Sequence, residues 1–380
     1  MGRFADPRSR RPRRSASDHP SPPPSHSRGG PPSHSGERNG AALLTVIGPV
    51  GGEEHVEPGH PERPVRVAAV MEGLADLRLG GDLVMVPSRA AEPHELDRVH
   101  AERHLLHLRQ FCSQGGGSID GDTYATAASW DIALQAAGAG LVAVDELRRG
   151  RADLAFVAAR PPGHHALADQ SMGFCLINNV AVAAASLVAA GERVAIVDWD
   201  VHHGNGTEAL FWDEPRVLYV STHQCPCYPG TGRASDVGGA RAAGLTLNVP
   251  LPPGATGDVV RLAFERLVTP VVEDFAPTWV LVSAGFDAHR ADPLADLALT
   301  AGDFAELARL VSGYAPTPGR LVLFLEGGYQ LDALRNSVAA TLGALVGSTE
   351  PVEPPSSGGP GMEQLDAVAT RRQEGLDQMA

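Results

Sequence analysis

The strongest constraint on the fold is a series of short, continuous apolar segments that alternate with longer stretches of helical period. The predicted strands are residues 154–159, 194–198, 217–221, 245–251, 280–284 and 321–325, and the predicted helices include 129–149, 178–190, 257–275 and 302–313. Strands that are apolar on both sides are typical of a parallel sheet with helices on both faces. The pattern therefore predicts an α/β domain.

We expect a single domain over residues 41–348, because no internal repeat interrupts the alternation. Residues 1–40 are dominated by Pro, Ser, Gly and Arg, and their eight arginines outnumber three carboxylates. This composition predicts a disordered basic tail. Residues 349–380 contain the stretch PVEPPSSGGPG near their start, which predicts a linker followed by a flexible C-terminal tail.

Charge and hydropathy exclude several classes of protein. The net charge of -14 argues against direct nucleic-acid binding, which needs a basic surface. No run of about 18 apolar residues predicts a membrane span, and no apolar segment of a secretory signal follows the N-terminal arginines. An organellar transit peptide stays open, because the tail is rich in Arg and Ser. The four cysteines form no CxxC pair, and we expect reduced thiols in a cytoplasmic protein.

Polar clusters follow several predicted strands directly. RPPGHH follows the first strand, DWDVHHGNGT overlaps the end of the second, and AGFDAHRADP and EGGY follow the last two. The carboxyl ends of parallel strands face the same edge of a sheet, which is where ligands bind. We therefore expect these clusters to meet in one site.

The densest cluster is Asp198-Trp199-Asp200-Val201-His202. Alternation along an extended chain puts Asp198, Asp200 and His202 on one side. A carboxylate and an imidazole two residues apart are natural ligands for Zn²⁺, whose catalytic sites have three protein ligands and an open position. Asp287, beyond the strand at 280–284, is the best candidate for a third ligand. The alternative is a set of strand-end caps and a buried histidine.

Two further groups suit proton transfer and carbonyl polarisation. His164 and His165 follow a rigid Pro-Pro turn, and imidazole titrates near neutral pH, so acid–base work is favoured over metal ligation. Asp198 is then free to orient one imidazole, and Asn205 could hold the other. Tyr329 lies on a Gly-Gly turn, where a phenol can donate to an oxygen that gains charge. A structural role for this tyrosine is the alternative.

Six motifs together resemble those of the histone deacetylase superfamily, which also includes acetoin-utilisation proteins and acetylpolyamine amidohydrolases. They are RPPGHHA, GFCLINNVAVAA, VDWDVHHGNGT, YPGTG, SAGFDAHRADPL and LEGGY, in chain order. The resemblance covers about residues 55–348 and starts at the sequence HPERP. It implies the arginase/deacetylase fold, a single domain with a mostly parallel eight-stranded sheet and helices on both faces.

The resemblance also implies roles for individual residues. The three candidate ligands match the family's zinc ligands. His165 matches the general base and acid, His164 its electrostatic partner, and Tyr329 the phenol that polarises the acetyl carbonyl. Phe174 and Tyr228, which from the residues alone could equally pack in a core, match the aromatic walls of the acetyl-lysine tunnel.

Further positions match the substrate rim and a structural ion. Asp122 matches an acidic residue that holds the substrate backbone, and Gly173 and Gly328 complete the implied substrate-binding set with Leu294. The family's structural K⁺ would be held by Asp198 and by the backbone around Asp200, His202, Ser221 and Thr222.

Several positions depart from the family's common motifs and indicate which branch of the family this sequence resembles. Asn205 replaces an Asp and Glu326 replaces a Gly found elsewhere in the family, and both resemble the class II and bacterial branches. Leu294 stands where polyamine-selective relatives carry Glu. Gly204 and His289 stand where two-metal arginases need acids, so we expect a single metal ion.

The sequence therefore predicts a zinc-dependent deacetylase that hydrolyses acetyl-lysine in proteins or peptides. Fe²⁺ in place of Zn²⁺ stays open, because these ligands suit both ions. An enzyme acting on small acetylated amines such as acetylpolyamines is the alternative, and a catalytically silent acyl-binding scaffold is a third possibility. The sequence does not predict the oligomeric state.

Overall fold

The computed structural model describes residues 42–347 and 352–379. Its strands are β1 (Leu44–Val50), β2 (Leu83–Val86), β3 (Gly116–Ser118), β4 (Tyr124–Thr126), β5 (Leu154–Ala159), β6 (Val194–Asp198), β7 (Val217–Gln224), β8 (Thr246–Leu251), β9 (Trp279–Ala284) and β10 (Leu321–Leu325). Eight of them form one sheet in the order β2-β1-β5-β10-β9-β6-β7-β8, and each pairing in it is parallel. β3 and β4 form a separate antiparallel hairpin. The predicted eight-stranded α/β sheet is confirmed.

Helices lie on both faces of the sheet. They are α1 (Val65–Asp76), α2 (Pro93–Leu96), α3 (Glu102–Ser113), α4 (Ser129–Arg148), α5 (Asn179–Ala189), α6 (Asn205–Phe211), α7 (Gly257–Ala263), α8 (Thr269–Phe275), α9 (Ala301–Ser312), α10 (Leu331–Val346) and α11 (Gln364–Met379), with a π-helical turn at Phe264–Val268 between α7 and α8. One core packs α1, α7, α9 and α10 against the sheet, and a second packs α3, α4 and α5 against its other face. Both faces of the central strands are therefore buried.

Helix starts follow local side-chain chemistry. The side chain of Asn178 accepts a hydrogen bond from Ala181 N at the start of α5. Thr300 and Asp303 form a reciprocal capping box at the start of α9. Such caps satisfy backbone N–H groups that have no partner within the helix. They fix where the loops that follow the strands end.

Two strands of the main sheet were missed by the apolar pattern. β1 is interrupted by Gly48 and Pro49, and its pairing with β5 shifts register between Ile47 and Val50. β2 is an edge strand whose Val84 and Met85 are 42% and 40% exposed. Because neither strand is a clean continuous apolar run, periodicity alone did not identify them.

The predicted flexible C-terminal tail is wrong for the residues that the structure describes. Leu365 and Val368 of α11 are buried in the core, and Arg372 donates to the Gly244 and Thr246 carbonyl oxygens beside edge strand β8. Ahead of α11, the Ser356 hydroxyl accepts from Gly257 N at 2.8 Å. The Pro/Gly/Ser stretch packs because its backbone and hydroxyl groups form hydrogen bonds with the first residues of neighbouring helices.

Two other expectations concern the ends of the chain and membranes. The predicted basic tail, residues 1–40, lies outside the described residues. Among the helices of residues 42–347 and 352–379, none is both long enough and apolar enough to cross a membrane.

The strand register brings the polar clusters level with one another. Asp198, the last residue of β6, pairs with Ser221 on β7 and with Ser283 on β9. On β10, Leu325 pairs with Ala284 of β9. The loops after β6, β9 and β10 therefore leave the sheet side by side at its carboxyl edge.

Candidate active site

A carboxylate–imidazole cluster forms where the loops after β6 and β9 meet. One ligand atom from each of Asp200, His202 and Asp287 lies within 4.8 Å of the others. His202 Nδ1 is 3.1 Å from Asp200 Oδ1 and 3.3 Å from Asp287 Oδ2. Backbone donors hold both carboxylates, because Gly327 N donates to Asp200 Oδ2 at 2.8 Å and Val201 N donates to Asp287 Oδ1 at 3.0 Å. The cluster is thus preorganised by backbone donors of the loops after β6 and β10.

The donor set fits a bound metal cation. Asp287 Oδ2 is buried and accepts no hydrogen bond of good geometry, although His202 Nδ1 is close to it. Burial opposes protonation of His202, but the adjacent carboxylates of Asp200 and Asp287 outweigh burial and raise its pKa well above the ordinary value. Two carboxylates around one imidazole thus require a positive charge. A Zn²⁺ ion meets that need with ligand atoms of types that it accepts.

The tandem histidines after β5 have different partners. His164 Nδ1 lies 3.0 Å from Asp198 Oδ2, and His165 Nδ1 lies 2.7 Å from Asn205 Oδ1. The two rings are 4.0 Å apart between centroids, and both side chains are nearly fully buried. One imidazole therefore faces a carboxylate and the other a neutral amide.

This difference separates the protonation states of the two rings. Burial lowers the pKa of His164, but the charges of Asp198 and Asp200 outweigh it and raise the pKa to about 10. Burial, followed by the charges of His164 and His202, lowers the pKa of His165 well below its ordinary value. At neutral pH His164 is a cation and His165 is a neutral base. Such divergent pKa values in one pair are typical of acid–base catalysis.

Tyr329 follows β10 and faces the same space. Its backbone N–H donates to Asp292 Oδ2 at 2.6 Å, and its ring centroid is 4.7 Å from the Arg66 guanidinium carbon. Burial raises the pKa of the Tyr329 phenol well above 10, although Arg66 opposes the shift. The phenol therefore stays protonated and can donate a hydrogen bond.

A cavity of about 180 Å³ joins these groups to the surface. Its lining contains His164, His165, Asp200, His202 and Tyr329 together with Asp122, Gly173, Phe174, Tyr228 and Leu294. The edge of the Phe174 ring meets the Tyr329 ring at a centroid distance of 5.7 Å. The structure thus brings together the predicted acid–base, aromatic and rim residues in one narrow pocket.

Two predicted glycines have different roles in this pocket. Gly173 has φ +57°, and a Cβ there would lie 2.4 Å from the His165 ring, so only glycine fits. Gly328 does not line the cavity, whereas Gly327 does. Gly328 lies behind the pocket, where its carbonyl accepts from Arg66 Nε at 2.6 Å. Its assignment as a substrate-binding residue stays a prediction.

Two residues that support the site were not predicted. Arg66 is fully buried and donates to the carbonyl oxygens of Glu326 and Gly328, more than 250 residues away in sequence. Asp292 accepts hydrogen bonds from the backbone of Tyr329, Gln330 and Leu294. Local sequence contained only a weak signal for either, because their partners are brought close by the fold.

A buried carboxylate–imidazole cluster that faces a neutral imidazole, at the carboxyl edge of a parallel sheet, places the protein among α/β hydrolytic enzymes. The family follows from comparison with known proteins. The sequence profile of the histone deacetylase domain matches residues 60–345, and the chain belongs to the histone deacetylase family. The predicted resemblance is confirmed.

Individual relatives agree with this family. A probable deacetylase of Archaeoglobus fulgidus is 39% identical over 296 residues, which is 76% of this chain and 82% of the relative. A histone deacetylase-like amidohydrolase of Pseudomonas aeruginosa is 40% identical over 297 residues, or 76% of this chain and 78% of the relative. The crystal structure of the HDA15 HD domain superposes with a TM-score of 0.79 at 34% identity, over 89% of this chain and 99% of that domain. The chain is thus an enzyme of a deacetylase and amidohydrolase family.

Proposed function

We propose that the protein is a zinc-dependent deacetylase that hydrolyses N-acetyl amides, with acetyl-lysine in proteins or peptides as the substrate. The observation that carries the proposal is the neutral His165 imidazole in the same narrow pocket as the Asp200, His202 and Asp287 cluster. The pocket thus joins a general base to a candidate cation site that includes a buried carboxylate oxygen without a hydrogen bond.

Asp200, His202 and Asp287 would hold the zinc ion. When bound, zinc supplies Lewis-acid polarisation of the acetyl carbonyl and acidifies a water molecule. The two histidines beside this site transfer and hold protons. His165, with Nδ1 bound to Asn205, takes the proton of the attacking water on Nε2 and returns it to the leaving amine. His164 stays protonated beside Asp198.

Tyr329 stabilises the charge that develops on the carbonyl oxygen. Its raised pKa keeps the phenol protonated, so it donates a hydrogen bond as the oxygen becomes negative. Arg66 packs over the ring, and Asp292 holds the backbone N–H of the same residue. Both contacts fix the phenol before substrate arrives.

The walls of the pocket favour an extended aliphatic chain such as that of acetyl-lysine. Phe174 and Tyr228 present aromatic surface, and Leu294 is apolar, which offers no carboxylate to a distant ammonium group. Asp122 at the same pocket is the one observation that favours the alternative, a small acetylated polyamine, because its carboxylate could accept an ammonium. In the acetyl-lysine proposal Asp122 holds the substrate backbone instead.

The proposal includes a cellular setting and a second ion. We propose a cytoplasmic location, supported by four free cysteines, and acetylated proteins as partners. A structural K⁺ at Asp198 and the backbone near Ser221 is also proposed, supported by the complete burial of both residues where Asp198, the last residue of β6, pairs with Ser221 inside β7.

A Tyr329→Phe variant tests the proposed chemistry. Loss of the hydroxyl should lower kcat on an acetyl-lysine peptide by roughly 10²–10³-fold, as for other oxyanion donors. Tyr314→Phe is a matched control, because the Tyr314 hydroxyl lies 2.7 Å from the Thr269 hydroxyl and neither residue lines the pocket. Turnover of N-acetylputrescine by the same preparation, with its zinc content measured, separates the two substrates. Wild-type turnover by Tyr329→Phe would exclude the assigned role.

A further inference from the structure

Glu326 is a fully buried carboxyl group that the proposed chemistry does not use. It follows β10 directly and is 0% exposed. Its Oε2 accepts hydrogen bonds from Gly163 N at 2.7 Å and from His164 N at 3.2 Å. Its Oε1 accepts from the Ser283 hydroxyl at 3.2 Å. One side chain thus joins the end of β9 to the loop after β5 that carries the tandem histidines.

The backbone of Glu326 is itself fixed on both sides. Its N–H donates to Ala284 O at 3.2 Å, and its carbonyl accepts from Arg66 Nη2 at 2.6 Å. The next residue, Gly327, donates to the Asp200 carboxylate. The carboxyl group is therefore held by the same strand ends that hold the candidate metal ligands.

Two backbone N–H groups of the histidine loop, residues 160–165, have this carboxyl group as their acceptor. Residues 160–165 contain no helix or strand, and among the described residues no other acceptor contacts the N–H groups of Gly163 and His164. Gly163 is also crowded, because a Cβ there would lie 2.4 Å from Asn179 N. Buried backbone N–H groups need acceptors, so loss of the carboxyl would leave two unsatisfied donors beside the acid–base pair.

We propose that Glu326 is a positioning residue that fixes His164 and His165 for proton transfer. The proposal rests on the proposed function, in which His165 is the base. In the sequence Glu326 only marked a branch of the family. The structure gives it a task, because its carboxylate reaches across the sheet edge to the loop that carries both imidazoles.

Substitution by Ala and by Gln tests the proposal. In Glu326→Ala the loop loses both hydrogen bonds, and we expect kcat on an acetyl-lysine peptide to fall by roughly 10- to 100-fold with KM within about twofold, because the histidines and not the channel walls move. In Glu326→Gln the amide oxygen takes the place of Oε2, and its NH₂ group can donate to the Ser283 hydroxyl. This isostere should restore kcat to within about threefold of wild type.

Two further measurements separate positioning from general stability. Leu342→Ala, in the buried core of α10, provides a variant that loses stability away from the site. At a comparable fall in Tm it should keep wild-type kcat. A crystal structure of Glu326→Ala should show the backbone of residues 160–165 displaced by about 1 Å or more relative to the wild-type crystal structure, the scale at which misplaced groups lose rate.

Several results would overturn the proposal. They are wild-type kcat in Glu326→Ala, equal loss in Glu326→Gln, equal loss in Leu342→Ala, or an undisplaced histidine loop in the crystal structure. Failure of the proposed function looks different, since wild-type protein loaded with zinc would then hydrolyse no acetyl amide. In that case the position of the loop in the Glu326→Ala crystal structure still decides whether Glu326 positions it.

Discussion

Glu62 lies between two buried arginines beneath the active site, and its replacement by Gln should destabilise the protein strongly. Arg160 donates to both carboxylate oxygens, from Nε at 2.7 Å and from Nη2 at 2.6 Å. Arg66 Nη1 is 3.2 Å from Oε1, and all three side chains are 0% exposed. Burial opposes ionisation of Glu62, but hydrogen bonds and charge from Arg160 outweigh it and hold the pKa of Glu62 below its ordinary value.

The magnitude follows from the loss of one charge in a buried network. Breaking a buried ion pair costs about 3–5 kcal/mol, because the remaining charge loses its compensation. With an unfolding entropy of about 0.7 kcal/mol/K for a domain of this size, Tm should fall by about 4–7 °C. Since the pKa of Glu62 is lower in the folded protein, its contribution is present above pH 4.5 and is lost as the pH falls further. The difference between wild type and variant should therefore shrink in acid.

Urea unfolding at pH 7, followed by the fluorescence of the buried Trp199 and Trp279, measures this difference. Asp76→Asn is the matched control, because Asp76 pairs with Arg335 at 2.7 Å on the surface, where ion pairs contribute little. We expect no measurable change in the control. If Glu62→Gln were as stable as Asp76→Asn, the buried network would not contribute as argued.

Three further perturbations test other parts of the molecule. Leu365→Ala should lower the free energy of unfolding, measured in urea, by about 2–4 kcal/mol, because Leu365 is fully buried. Val352→Ala, at a side chain that is 73% exposed, should leave it unchanged. Equal stabilities of the two variants would contradict the packed C-terminal segment. Burial lowers the pKa of His100 to about 4, so between pH 6.5 and pH 4 this histidine is protonated in the unfolded chain but not in the folded protein. As the pH falls through that range, the free energy of unfolding should therefore fall by up to about 1.4 kcal/mol per pH unit. His100→Gln should flatten that slope, and an unchanged slope would contradict the assignment. Asp287→Asn should weaken zinc binding by at least roughly 100-fold in a chelator competition, and unchanged affinity would remove Asp287 from the ligand set.

The sequence predicted most of the sheet because its central strands are buried on both faces and therefore read as continuous apolar runs. All six predicted strands are present, including β5, β6 and β9. The pattern missed the edge strand β2, whose half-exposed side chains resemble those of a loop. It also misjudged residues 352–361, because a Pro/Gly/Ser segment that packs through backbone and hydroxyl groups has the composition of a linker.

The candidate site was predictable where ligands are close in sequence and not where the fold brings them together. The spacing of Asp200 and His202 identified one pair directly. Which imidazole would face Asp198 and which Asn205 was open, and the structure pairs His164 with Asp198 and His165 with Asn205. Arg66 could not be predicted to act at the site, since its acceptors lie more than 250 residues away.

The pairing of each histidine explains why two adjacent imidazoles can do different work. Both are buried to nearly the same degree, so desolvation lowers the pKa of each. Only His164 is paired directly with a carboxylate, and the charges of Asp198 and Asp200 outweigh its burial, while the Asn205 amide orients His165 without adding a charge. The His164 cation then lowers the pKa of its neighbour further. Burial and the His164 cation thus leave His165 unprotonated, and able to accept a proton, at neutral pH, while the neutral Asn205 side chain adds no carboxylate charge that would offset them.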